Sequence, residues 1–153
     1  METLEPILAE HPFFQGIDPA HRLLMAGCAA NVRFPAGADL FREGDEAASF
    51  YLIRHGHVAL QVFIPGQGRI TLDTIEAGNV LGWSWLFPPY RWHFDAQALE
   101  LTRAIAFDGA CLRAKCDDDH DLGYMLMQRF AQIMTKRLQA TRLQLLDVYG
   151  VRT

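Results

Sequence analysis

Residues 82–95, Gly82-Trp83-Ser84-Trp85-Leu86-Phe87-Pro88-Pro89-Tyr90-Arg91-Trp92-His93-Phe94-Asp95, hold all three tryptophans of the chain, two prolines and one arginine. This composition suits a rigid, aromatic-lined pocket that stacks a base or another planar group. Its candidate ligand-binding residues are Gly82, Trp83, Ser84, Trp85, Arg91, Trp92 and His93, with Arg91 and His93 as polar anchors. The same aromatics could instead fill and seal the space. They could also present a surface to another protein, because aromatics and arginine dominate interface hot spots.

Other chemistries have weaker support. His55-Gly56-His57 has the spacing of a metal-binding pair, but a turn glycine separates the histidines and Val58 to Gln61 supply no glutamate ligand, so no metal site is expected. Gly66-Gln67-Gly68-Arg69 lacks the G-K-[ST] ending of a phosphate loop and reads as a hairpin turn. Ser84 lies in no G-x-S-x-G elbow. A lone His93 near Asp95 is more often a hydrogen-bonded structural group than an acid–base catalyst. No catalytic residue is assigned, and the chain is not expected to be an enzyme.

The 153 residues are half hydrophobic and carry a formal net charge of −4, which fits one globular domain over 1–153 with a core of its own. Residues 1–30 read as a helical start. Leu4, Ile7 and Leu8 have helical spacing, and His11-Pro12 ends that piece. Asp18 then caps a second helix with Pro19 at its first position, an apolar face of Leu23, Leu24 and Cys28, and an end near Ala29. Over 31–107, glycines punctuate short β-rich runs, Phe50–Ile53, Val58–Phe63 and Ile70–Thr74 among them. This pattern predicts a sandwich or jelly roll of about eight short strands.

Residues 108–150 close the chain helically. Asp117-Asp118-Asp119 suits the positive end of a helix that runs to about Tyr149. One stripe on it, Met127, Phe130, Met134, Leu138, Thr141 and Leu145, continuing to Val148, steps by three and four. A second runs through Leu122, Leu126 and Ile133, with Leu143 and Leu146 further along. A helix apolar on two sides needs two partners, so the first stripe is expected to pair two copies of the chain as a homodimer, unless the wide face merely lies along the sandwich. Cys28, Cys111 and Cys116 are odd in number and lack C-x-x-C spacing; they are expected to be reduced thiols. The start lacks a secretory signal and no apolar run is long enough for a membrane span, which favours the cytoplasm. The 14 Lys and Arg are scattered and outnumbered by 18 Asp and Glu, so no nucleic-acid stripe is expected.

Phe41-Arg42-Glu43-Gly44-Asp45, Phe50-Tyr51-Leu52-Ile53 and Gly56-His57-Val58 together resemble the cyclic-nucleotide-binding domain signature. Ile75-Glu76-Ala77-Gly78-Asn79-Val80-Leu81-Gly82 resembles the approach to that family's phosphate-binding cassette. The resemblance spans nearly the whole chain. It implies a mainly β jelly roll with short N-terminal helices and a long C-terminal helix, acting as a Crp/Fnr-type effector domain. In that family a glutamate after the cassette glycine takes the ribose hydroxyl, and an arginine about ten residues later pairs with the cyclic phosphate. Here Trp83 follows Gly82, and Trp92 or His93 stands at the arginine's place, which removes charge-assisted bonds that packing replaces poorly. The resemblance therefore implies a regulatory or accessory subunit without ordinary cAMP recognition. The alternative is a sensor of cAMP, cGMP or another nucleotide within a transcription regulator.

Gly82-Trp83-Ser84-Trp85-Leu86, Arg91-Trp92 and Cys111-Leu112-Arg113-Ala114-Lys115-Cys116 further resemble small bacterial proteins found beside redox enzymes, including the accessory subunit of NAD-reducing soluble nickel–iron hydrogenases. That likeness implies docking to a large redox-enzyme complex and a nucleotide such as NADPH. Relatives that read DNA carry a helix-turn-helix beyond the long helix. A chain that stops at Thr153 is expected not to bind nucleic acid directly.

Overall fold

The computed structural model describes residues 4–150. By their internal contacts they form two compact units, one ending at Lys115 and one beginning at Cys116.

In the first unit, α1 (Glu5–Glu10) stops at His11, as the following proline requires. A 3₁₀ turn over Pro12–Phe14, which no spacing rule foretold, follows it. The next helix, α2 (Pro19–Ala26), starts at Asp18, whose carboxylate accepts a hydrogen bond from the Ala20 amide at 2.8 Å. It ends three residues before the expected Ala29, because Ala29 already pairs with Phe107 in a sheet. Of the expected apolar face, Cys28, just past the helix, is buried, but the two leucines are not. Leu23 is 65% exposed, Leu24 lies at the surface, and Met25 is the residue that α2 buries.

Eight strands follow: β1 (Ala29–Phe34), β2 (Asp39–Phe41), β3 (Ser49–His55), β4 (His57–Ile64), β5 (Gly68–Glu76), β6 (Val80–Leu81), β7 (Asp95–Ala98) and β8 (Thr102–Asp108). They build two four-stranded antiparallel sheets, ordered β1-β8-β3-β6 and β2-β7-β4-β5. The jelly roll read from the sequence is the fold observed.

Over Phe50–Ile53 strand β3 is buried or half-buried on both faces, which is why this stretch reads as an apolar run rather than as an alternation. Between the sheets, Ile53 and Ala104 join Phe41, Val58, Leu60, Ile75, Leu81, Trp92 and Ala96 in one core. On the other face Phe50 stacks on Phe107 with ring centroids 4.8 Å apart, and Phe13 and Phe14 from the 3₁₀ turn pack against these two rings. This second layer anchors the N-terminal segment.

The cysteine expectation is overturned. Cys28 and Cys111, 83 positions apart in sequence, form a disulfide, with Cα atoms 5.8 Å apart. The reason is register. Ala29 opposes Phe107, the Asp108 amide donates to the Cys28 carbonyl at 2.9 Å, and α3 (Gly109–Asp118) then turns Cys111 back onto Cys28. Only Cys116 remains a free thiol.

In the second unit Asp119 breaks the helix and caps the next one, its carboxylate accepting from the Leu122 amide at 3.1 Å. That helix, α4 (His120–Val148), is 29 residues long. Leu122, Leu126 and Phe130 form its buried row. Phe130 is fully buried, so it is removed from the expected dimer seam. Met127 (46% exposed), Leu138 (71%), Leu145 (56%) and Thr141 lie at the surface, and Met134 is half-buried. Among the described residues no helix is long and apolar enough to cross a membrane.

Candidate functional site

Strand β6 delivers the chain to Gly82, whose φ of +96° belongs to the left-handed region that glycine tolerates. A Cβ here would also sit 2.5 Å from Cη2 of Trp92. Glycine is thus required twice, by its dihedral and by the indole lying against it. A 3₁₀ turn over Ser84–Leu86 follows, then a cis Pro88–Pro89 bond and Tyr90 at φ +55°.

The returning segment is fastened to the Phe41–Asp45 turn. The Ala47 amide donates to the Tyr90 carbonyl at 2.7 Å, the Trp92 amide to the Asp45 carbonyl at 3.0 Å, and the Gly44 amide to the Trp92 carbonyl at 2.9 Å. Trp92 points inward and is 3% exposed; Arg91 and His93 on either side point outward and are exposed. The Trp92 ring lies flat on Phe41 with centroids 3.7 Å apart and an 8° interplanar angle, inside the core between the sheets.

Trp85 goes to the other layer. It is fully buried and stacks on Phe50 at 5.3 Å. Ser84 and Gly82 are buried, and Trp83 is half-buried. The seven candidate residues therefore do not converge on one pocket: two rings fill two different cores, while the two polar anchors face solvent. Arg91 makes one long contact, from Nη1 to the Gly44 carbonyl at 3.5 Å.

Two side chains to which the sequence reading gave no such role hold the segment. Arg113 of α3 donates from Nη1 to the Trp85 carbonyl at 2.6 Å, and its guanidinium lies 4.2 Å above the Tyr90 ring. Asp95 accepts from the Glu43 amide at 2.7 Å and pairs with Arg69 at 3.3 Å. Arg69 also binds Asp39, and this hydrogen bond, assisted by Arg42, holds the Asp39 carboxyl below its ordinary range. No motif marks Arg113 or Asp95, since each acts through partners distant in sequence.

The remaining candidate chemistries are also placed. His57 pairs with Glu100 at 3.0 Å, whereas His55 faces a separate surface cleft. Among the described residues no group of three or more His, Cys, Asp or Glu could hold a metal ion. Burial, reinforced by Asp117 and Asp119, pushes the Cys116 thiol up and away from the reactive thiolate.

The family model for the cyclic nucleotide-binding domain matches residues 31–119. The chain is 27% identical over 146 residues to the CRP-like cAMP-activated global transcriptional regulator of Mycobacterium tuberculosis, covering 95% of this chain and 63% of that protein's length. Among solved structures, a cyclic nucleotide-binding domain from Methylobacillus flagellatus KT superposes with a TM-score of 0.84 at 18% identity, over 96% of this chain and 86% of that one. The Thermus thermophilus catabolite activator protein superposes with a TM-score of 0.69 at 24% identity, over 91% of this chain and 63% of that one. At these identities both likenesses show the fold.

Proposed function

Because the chain belongs to the cyclic nucleotide-binding domain family, we propose that it is a non-enzymatic regulatory or accessory subunit whose cyclic-nucleotide site has been closed by its own tryptophan. One observation carries this reading. The Trp92 indole, at one of the two positions (Trp92 or His93) that the resemblance gives to the family's phosphate-binding arginine, is stacked on Phe41 and seated against Gly82 within the core. A ligand would have to expel a ring that is almost wholly buried. Arg91 faces the wrong way to replace the missing cation.

Thermal unfolding with cAMP and cGMP tests it. A ligand present at about 100 times its Kd would stabilise the fold by roughly 2.7 kcal/mol. The expected result is an unchanged melting temperature with either nucleotide; a clear rise would overturn the closed-site reading.

The same proposal pairs two copies through Met127, Met134, Leu138, Thr141 and Leu145 of α4, which supply an apolar row outside the buried one. It puts the protein in the cytoplasm, docked to a larger NAD(P)-linked redox enzyme such as a soluble hydrogenase, with a nucleotide such as NADPH associated. Co-purification from the native host checks the docking, and recovery only as the free dimer would count against it. A second reading is favoured by the chain's spanning 63% of the mycobacterial relative's length: the chain is the nucleotide-sensing part of a Crp/Fnr-type transcription regulator. A positive cyclic-nucleotide response in the assay above would select it.

A further inference from the structure

Three arginines and a histidine from three separate stretches of the sequence, Arg33, Arg54-His55 and Arg103, meet on one end of the β1-β8-β3 sheet. In the ladder Arg33 lies directly opposite Arg103, and Arg103 directly opposite His55. The register shifts between Ile53 and His55, so Arg54 occupies a bulge beside them. All four side chains are exposed. Arg54, His55, Arg103 and Leu101 line an open cleft of about 300 Å³.

The walls of this cleft are fixed. Gly56, at φ +89°, packs so closely on the 101–102 backbone that an added Cβ would stand 2.6 Å from the Leu101 carbonyl oxygen and 2.9 Å from the Thr102 Cα. The Thr102 hydroxyl donates to the Glu100 carbonyl at 3.0 Å. Glu100, the acid nearest in sequence, is engaged with His57.

Like charges directly opposite one another in a sheet are destabilising. Here Arg33 and Arg103 stand so, and among the described residues neither they nor Arg54 has an acidic partner. The chain as a whole has a net charge of −4, so this concentration of guanidinium groups runs against its overall balance. Guanidinium forks match the oxygens of phosphate in a bidentate way. The cleft volume lies at the small end of ligand sites. We infer that the Arg54–His55–Arg103 cleft, with Arg33 at its edge, binds a small phosphate-bearing metabolite. It lies on the sheet face opposite the Trp92 core, so the assignment stands or falls independently of the closed cyclic-nucleotide site.

Calorimetric titration of the full chain with sodium pyrophosphate tests this, with the chloride salt at matched ionic strength as reference. The expected result is saturable binding at one site per chain. Arg103→Gln and Arg54→Gln should each weaken it at least tenfold, with Lys136→Gln, on the exposed surface of α4, leaving it unchanged. Without ligand, Arg103→Gln should melt slightly higher than wild type, because the repulsion from Arg33 is gone. An absence of binding at millimolar pyrophosphate, or equal weakening by Lys136→Gln, would overturn the assignment. Binding of a polyglutamate peptide without any response to pyrophosphate would overturn it as well, in favour of an acidic protein segment.

Discussion

Replacing Gly82 by alanine tests the seating of Trp92 directly. Two separate costs are foreseen. The left-handed backbone at φ +96° costs a β-carbon-bearing residue about 1–2 kcal/mol. The new methyl would meet Cη2 of Trp92 at 2.5 Å and Cζ3 at 2.7 Å, an overlap that costs about 1–3 kcal/mol to relieve in a packed core. Together they predict a loss of about 2–5 kcal/mol, or roughly 4–20 °C in melting temperature for a chain of this size. The two costs can be separated, because only the second depends on the outer ring of the indole. Trp92→Phe removes those ring atoms and keeps an aromatic ring to lie on Phe41. In the Trp92→Phe background Gly82→Ala should therefore cost only the backbone part, giving a coupling of about 1–3 kcal/mol between the sites. Urea unfolding of the four proteins, followed by the fluorescence of Trp83 and Trp85, supplies the cycle. Additivity within about 0.5 kcal/mol would refute the packing of Trp92 against Gly82.

Arg91→Ala, which removes an exposed side chain with one long hydrogen bond, should change stability by less than about 0.5 kcal/mol in thermal melts. Leu138→Glu should place a charge in the helix seam and turn a dimer into a monomer by light scattering, with the circular dichroism of the β unit unchanged; a monomeric wild type would refute the pairing. His11 gives a pH dependence. Its Nδ1 accepts from the Phe13 amide at 3.1 Å and its Nε2 donates to the Ile53 carbonyl at 3.2 Å, an arrangement that suits the neutral ring. Burial, helped by Arg54 and opposed by the Ile53 carbonyl, lowers its pKa from 6.5. The unfolded chain then binds the proton first, so stability should fall as the pH drops below 6.5. His11→Gln should flatten that slope in urea titrations at stepped pH.

Elements were legible in the sequence wherever local rules decide them. Proline after His11, the Asp18 cap and Asp119 each act within a turn of the chain, and each marks a boundary that the structure keeps, whereas Asp117 and Asp118 fall in the last turn of α3 rather than at the start of the long helix. The β runs at Phe50–Ile53 and Val58–Phe63 were legible because they are rich in β-branched, aromatic and other apolar residues, most of them buried or half-buried. The candidate site was legible only in composition. Which way Trp92 and Arg91 point is set by pairing with residues 44–47, and the partners of Arg113 and Asp95 lie 28 and 52 positions away. The same holds for Cys28 and Cys111, which looked like unrelated thiols until the β1–β8 register brought them together. It holds for Arg33, Arg54 and Arg103 too, scattered in the sequence and adjacent in the sheet.

The Cys28–Cys111 bond turns the jelly roll into a closed covalent ring, since every strand lies between the two half-cystines. The exposed tip between β4 and β5, at Pro65-Gly66-Gln67, is inside that ring. Cutting the backbone there opens the ring without dividing the molecule. A protein so nicked would keep its two pieces joined and migrate as one species until the disulfide is reduced. Its sheets would then be held together by noncovalent packing alone.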